Sequence, residues 1–373
     1  HINAISLEDY ITGTAQPKMN QAKMNSIVVA IPPEAEQHRI VAKVDELMAL
    51  CDQLEQQTEE SLSAHQTLVE VLLSTLTESK NAEDFQTSWQ RIAEYFDLLF
   101  TTEQSIEQLK QTILQLAVMG KLVPQNASDE PASVLLEKIA EEKAQLIADK
   151  KIKKQKPLPL VTDEEEPFEQ PKGWEFERLG NCSNVFSGNS FKSGDFNNES
   201  GTRVIKITNA GVGALVETDD YLPTEFLSTY ENYKVFEGDL ILALTRPYIS
   251  TGLKISICPS AYNLSLLNQR VAAIRPYFES TFLYLFLSSN FVLKLYQDRF
   301  SGSGLQPNLK MGDVTELVIP IVPLAEQHRI VAKVDELIAL CEQLKARLID
   351  AQTTQLNLAD AVAENALNEQ AIN

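Results

Sequence analysis

Twenty consecutive residues occur almost unchanged at two places in the chain, and any fold has to accommodate both copies. Ala35–Leu54 reads AEQHRIVAKVDELMALCDQL and Ala325–Leu344 reads AEQHRIVAKVDELIALCEQL; only Met48/Ile338 and Asp52/Glu342 differ. The register extends upstream without a gap, with Gln16-Pro17 matching Gln306-Pro307, Ile31 matching Ile321 and Pro33 matching Pro323. Near-copies this far apart are one structural unit used twice, which predicts an approximate two-fold relation. Because residues 16–34 correspond to 306–324, residues 1–34 are expected to be the C-terminal remnant of a first domain whose second version precedes residue 324.

Both copies carry a helical pattern. Ile40, Val44, Leu47, Cys51 and Leu54 recur at spacings of four and three, and the seam continues through Thr58, Ser61 and His65 to Leu68 and Leu72. The second copy places Ile330, Val334, Leu337, Cys341, Leu344, Leu348, Ala351, Gln355, Leu358 and Val362 on the same seam. A strict 3.5-residue repeat is a coiled-coil seam, and a helix of about 40 residues is about 60 Å long. The pattern predicts two such helices side by side in a stiff rod that sets a distance. His65 reads as a tolerated polar seam residue.

Between the copies, Phe85–Phe100 is predicted to be a helix with an aromatic face (Trp89, Phe96, Phe100). Thr102 is an N-cap candidate for a second helix ending at Gly120, and Ser128 or Asp129 for a third reaching the basic run Lys150–Lys154. Residues 156–172 are rich in Pro and acid and read as a linker. From Gly173-Trp174 onward short β-like runs appear at Arg203–Ile207, Asp239–Thr245, Leu253–Cys258 and Val271–Ile274, followed by a helix over Ser280–Phe300 and a Ser301–Gly304 loop. The expected class is α+β, with segments 1–34, 35–155, 156–172, 173–324 and 325–373. Trp174, Phe176 and Phe186 are assigned to the core.

The formal net charge of −20 argues at first against a polyanionic partner. Its distribution matters more: between Phe168 and Pro323 the chain has 13 Lys+Arg against 16 Asp+Glu, so the excess acid sits mainly in the helical parts. The four cysteines are scattered and form no CxxC, and the four histidines do not cluster, so no metal and no cofactor is expected. Thin cysteine use and the absence of a spanning apolar run point to a reduced, cytoplasmic compartment and no membrane. No phosphate-loop or amino-methylation motif occurs; Glu141-Glu142-Lys143 lies inside a predicted helix, and Asp163–Glu166 is a linker acid run. No catalytic group is expected.

At this point the chain resembles the specificity subunit of type I restriction–modification enzymes. The matching pieces are Thr14–Asn20 with Ile31–Gln37, Gly304–Leu309 with Ile319–Gln327, Gln115–Pro124, Asp129–Ser133 and Gly173-Trp174, together with the doubled segment. The resemblance implies a globular α/β target-recognition domain attached to long helices that form an antiparallel coiled coil. It implies double-stranded DNA, modification (methyltransferase) subunits and restriction subunits as partners, with catalysis in those subunits. The departure is the first recognition domain, of which about thirty residues remain. A coiled-coil scaffold whose middle domain binds protein is the alternative reading.

What both copies share cannot encode different half-sites, so base reading is expected in the unshared stretch Trp174–Ser303. Base edges need planar polar or basic ends, and phosphates need charge or loop N–H groups. The candidates are Ser190, Lys192, Lys206, Asn209, Arg246, Tyr248, Lys254, Asn268, Gln269, Arg270 and Arg299, with Lys192 and Lys254 the better phosphate contacts.

Overall fold

A computed structural model describes residues 19–29, 31–79, 82–152, 154–300 and 306–372. Gln16-Pro17, Lys153 and the Ser301–Gly304 loop lie outside them. The chain divides into two compact units, His1–Thr67 and Leu68–Asn373.

The first unit holds α1 (Gln21–Asn25), capped by the Asn20 carboxamide accepting from Lys23 N at 2.8 Å, and most of α2 (Glu34–Thr77). Residues 27–29 and 31, read from sequence as a strand, are not one. Gln37 Nε2 reaches back to the Pro32 carbonyl at 2.8 Å, which closes the start of α2.

The second unit begins in the last turns of α2. There Val69, Leu73 and Leu76 are buried with residues of α3 (Ala82–Glu94), α4 (Phe96–Leu99) and α5 (Glu103–Val118). The single helix expected over Phe85–Phe100 is therefore two, parted at Tyr95 (φ −110°, ψ 19°) with no Gly or Pro to announce the break. Thr102 caps α5 as expected, in a reciprocal box with Ser105. Gly120, at φ +69°, ends α5, and Lys121 N–H returns to the Leu116 carbonyl at 2.9 Å. Helix α6 (Ala132–Ala148) starts after Pro131; Asp129 is not its cap but a partner of Arg329. It stops before the basic run, where Lys150 adopts φ +59°.

The remaining elements in order are β1 (Glu175–Arg178), α7 (Leu179–Cys182), β2 (Ser183–Ser187), β3 (Thr202–Ile205), β4 (Tyr221–Leu222), α8 (Phe226–Thr229), β5 (Lys234–Val235), β6 (Leu240–Ala243), β7 (Tyr248–Ile249), β8 (Gly252–Leu253), β9 (Ile255–Ile257), β10 (Ser265–Leu267) and β11 (Val271–Pro276). They are followed by α9 (Ser280–Leu287), α10 (Asn290–Phe300), α11 (Met311–Thr315), β12 (Val318–Ile321) and α12 (Leu324–Ile372). The helix expected over Ser280–Phe300 is broken at Ser288-Ser289, whose hydroxyls bond back to Leu285 and Phe286 carbonyls at 3.1 and 2.6 Å and compete with the helical ladder.

An antiparallel sheet, β2-β11-β6-β9, lies beside a second, β4-β3-β10-β5, in which β3 and β10 run parallel. Every residue of Leu240–Ala243 and Val271–Ile274 is buried, so these strands are covered on both faces and show no alternation. Strands β1 and β12 pair antiparallel from Glu175↔Ile321 to Arg178↔Val318, so the chain enters and leaves this α+β body through one two-stranded stem. Trp174, just before the stem, is buried edge-to-face against Phe282, with ring centroids 6.1 Å apart.

The seam of α12 is covered by α5. Ile330, Val334 and Cys341 are buried with Ile106, Leu109 and Ile113. Lys110 meets Glu342 at 2.6 Å while Lys345 meets Glu103 at 3.1 Å, so the two helices run antiparallel.

The repeat holds in local detail. Helices α1 and α11 occupy matched positions, and Gln327 Nε2 reaches Val322 O at 2.7 Å as Gln37 reaches Pro32. The surroundings differ: Ile330 is 0% exposed and its counterpart Ile40 is 49% exposed. Ile330→Ala is expected to cost about 3 kcal/mol in the isolated chain, and Ile40→Ala under about 0.5 kcal/mol. Urea unfolding of the two variants, measured side by side, checks the difference.

Candidate nucleic-acid interface

The register of the four-stranded antiparallel sheet brings four strand ends to one edge. Ser187 faces Ala272, Ala243 faces Val271, and Ile255 faces Leu242. Strands β2 and β6 thus leave the sheet where β9 and β11 enter it. The connections that leave and enter there carry most of the planar and basic side chains expected to read DNA.

Backbone bonds lock these connections together. Asn189 bridges Asn268, donating from its N–H to the Leu267 carbonyl at 2.9 Å and accepting from Gln269 N at 3.2 Å. Leu244 N donates to the Arg270 carbonyl at 2.9 Å, and Lys254 N to the Pro247 carbonyl at 2.7 Å. Ser190, Lys192, Arg246, Tyr248, Lys254, Asn268, Gln269 and Arg270 therefore share one rim. Gly188 permits the crossing: a Cβ there would lie 2.0 Å from the Leu267 carbonyl oxygen, which is backbone and cannot yield.

A segment after the recognition elements closes the rim. Arg246 N donates to the Pro307 carbonyl at 3.0 Å, Leu309 N donates to the Leu244 carbonyl at 2.8 Å, and Thr245 bridges Asn308. Arg246 is exposed and adopts φ +49°, a conformation that costs a non-glycine residue on the order of 1 kcal/mol. Its guanidinium faces the Gln306 side chain. With the amide oxygen turned toward it, Gln306 Oε1 accepts from Arg246 Nε and, at 2.9 Å, from Nη2.

The rim carries unpaired positive charge, as Lys172, Arg203, Lys294 and Lys310 also do elsewhere in the described body. Among the described residues, the side-chain cations of Lys192, Arg246, Lys254 and Arg270 form no ion pair, although the Lys192 backbone N–H donates to Asp195 Oδ2 at 3.1 Å. At the other end of the same sheet Arg275 is held by Asp239 through bonds of 2.8 and 2.7 Å and lies over Phe236. Arg275 is neutralised internally at that end, whereas the four rim cations are not.

Three candidates already have partners within the chain. Asn209 is fully buried: its side chain accepts from Lys206 N at 2.8 Å and donates to the Val216 carbonyl, Thr218 Oγ1 and Tyr262 Oη at 2.9, 3.0 and 3.2 Å. It shapes the loop after β3 and offers nothing to a ligand. Lys206 lies next to the rim, since Asn268 N donates to the Ile205 carbonyl at 2.9 Å, but its ammonium pairs with Asp220 at 2.6 Å and sits over Phe196. Arg299 is bound to Asp313 in a cleft that also contains Glu165, Arg178 and Glu316.

Asn189, Thr245, Gln306 and Asn308 also stand at the rim, outside the set of candidate readers. Their signal was positional: Asn189 follows a glycine at a strand end, and Gln306 begins the repeated Gln-Pro. Among the described residues no group of His, Cys, Asp and Glu could hold a metal ion, and no helix is long and apolar enough to cross a membrane. All four cysteines are free, and Cys182 is buried, which raises its thiol far above the usual range.

The family model for the type I restriction modification DNA specificity domain matches residues 3–64 and 171–351. The type I restriction enzyme EcoAI specificity subunit of Escherichia coli is 46% identical over 97% of this chain and 62% of its own length. The EcoEI specificity subunit, also from Escherichia coli, is 40% identical over the same shares. The chain thus spans less than two thirds of these relatives. Among solved structures, a chain from a study of complex assembly in the type I R-M system matches 93% of this chain and 62% of its own length. That match has a TM-score of 0.49 and 18% identity.

Proposed function

Because the chain belongs to the type I restriction modification DNA specificity family, we propose that it is a non-catalytic DNA-specificity component whose 173–324 domain reads one half of a bipartite site. The observation that carries this reading is the rim: four cations without carboxylate partners, interleaved with Asn268, Gln269 and Tyr248, on loops anchored to a buried sheet. Such a surface offers charge to phosphates and planar donors to base edges from a rigid base. It also accounts for a DNA reader with a net charge of −20, since the excess acid lies mainly outside this domain.

In this reading the helices dock the modification subunits, with restriction subunits joining that complex, and catalysis belongs to those partners. The apolar seam of α2, with Ile40, Val44 and Leu47 about half exposed, is the face we assign to assembly. The antiparallel coil of repeat helices belongs to the same proposal, as do segment boundaries at 34/35, 155/156, 172/173 and 324/325. A DNA reader works in the cytoplasm, which agrees with four unpaired thiols. The scaffold alternative is not favoured by the relatives, which are named as specificity subunits.

Selection from a randomised duplex pool tests the proposal, followed by affinity titration at several salt concentrations. Enrichment of one defined half-site is expected. Arg246→Ala is expected to lower affinity for that half-site by about 1–3 kcal/mol and relax one base position. Equal weakening on all sequences with a shallower salt dependence would make Arg246 a phosphate contact instead. No enrichment by the unaltered chain would sink the reading.

A further inference from the structure

We propose that Gln306 is a positioning residue that aims the Arg246 guanidinium at its base, so that the shared Gln-Pro segment sets the pose of a residue in the unshared reader. This rests on the DNA-reading function proposed above and identifies how one reader is held.

Arg246 is the exposed cation of the rim with a left-handed backbone (φ +49°), and Pro247 follows it. The bonds from Arg246 N to Pro307 and from Leu309 N to Leu244, with the Thr245–Asn308 bridge, fasten that backbone on both sides of the turn. A side chain with several rotatable bonds still loses considerable freedom when it meets a base. Gln306 removes part of that cost beforehand: with its amide oxygen turned toward the guanidinium it accepts from Nε and Nη2, and it leaves Nη1 without a bond to Gln306.

The match of Gln306-Pro307 to Gln16-Pro17 gives the device a wider meaning. A residue common to both copies cannot choose the base, but it can fix where a choosing residue stands. Gln306 therefore belongs to the constant part by sequence and to the reading surface by contact.

The experiment is a double-mutant cycle on the full chain, scored by selection from a randomised duplex pool and by affinity on the winning site. Gln306→Ala is expected to relax the same base position as Arg246→Ala, by about tenfold, with affinity for unrelated duplexes unchanged. The double variant is expected to be no worse than Arg246→Ala alone, because the two act as one unit. Gln306→Glu, which keeps the accepting oxygen, is expected to retain the preference at that position.

A second readout needs no DNA: the Arg246 Nε–H, held in the unaltered chain, is expected to exchange faster with solvent in Gln306→Ala while the melting temperature stays within about 2 °C. Relaxation at another position, uniform weakening, multiplicative effects or an unchanged Nε–H would each overturn the positioning role. If the unaltered chain enriches no sequence, the DNA-reading function fails and the role of Gln306 falls with it. If it enriches a half-site that Gln306→Ala leaves intact, only the positioning role fails.

Discussion

Replacing residues 175–303 with the corresponding residues of a relative that reads a different sequence is expected to convert the half-site read by this domain. Its affinity for the original half-site should fall to the non-specific level, a loss of about a thousandfold or more. On the proposed function, the other half of a bipartite target should stay unchanged. The structure sets the boundary. Trp174 stays with the parent because it is buried between Phe282 and the helical core that contains Ile330 and Val334. Gln306–Leu309 stays because it fastens whatever turn follows β6. Pool selection with the chimaera checks the result; an unaltered half-site would place sequence reading outside 175–303.

Arg178→Ala is expected to have the largest effect on stability. Arg178 ends β1 with a side chain only 7% exposed, and it is a hub of five hydrogen bonds. It donates to the carbonyls of Pro159, Glu316 and Leu160 at 2.7, 2.9 and 3.3 Å, and to both carboxylate oxygens of Glu165 at 2.9 and 2.8 Å. These bonds tie the 156–172 linker and the turn after α11 to the stem. Removing the guanidinium leaves carbonyls without donors at a packed joint, at a cost on the order of 3 kcal/mol.

Thermal unfolding gives the magnitude, and limited proteolysis should show earlier cleavage in the freed linker. A drop of less than about 1 kcal/mol would mean that water replaces the guanidinium without penalty. The bond to Arg178 also holds the Glu165 carboxyl below its ordinary value of 4.5. A depressed carboxylate contributes stability that is present above the unfolded value and lost as pH falls through the folded one. The joint should therefore loosen on acidification below about pH 4.5, and not on alkalinisation.

Sequence disclosed what depends on local period and chemistry. The seam placed both long helices, Thr102 announced its cap, and Gly120 its stop. It did not disclose the stem, because Glu175–Arg178 has no strand-like run of apolar residues and its partner lies at Val318–Ile321. It also missed the two helix breaks, at Tyr95 and Ser288-Ser289, where geometry and local serine bonds, not Gly or Pro, interrupt the ladder. At the site, residue type was legible and availability was not. Lys206, Asn209 and Arg299 have suitable chemistry, yet Asp220, Tyr262 and Asp313 already occupy them. Which polar groups are already taken is settled by tertiary neighbours, and no spacing rule carries that information.

The β1–β12 stem imposes an order on how the molecule can be made. Its rungs join residues at opposite ends of the α+β body, so zipping it early would mean closing a very long loop at full entropic cost with nothing inside to offset it. The sheets within that loop gather shorter-range partners, such as the β2 and β6 neighbours of β11, and can condense first. Condensation brings the two ends together, after which four rungs form at little further cost. During synthesis β1 must therefore wait, unpaired, until β12 has left the ribosome. Glu175 and Glu177, charged and alternating along that waiting strand, keep it a poor template for another chain.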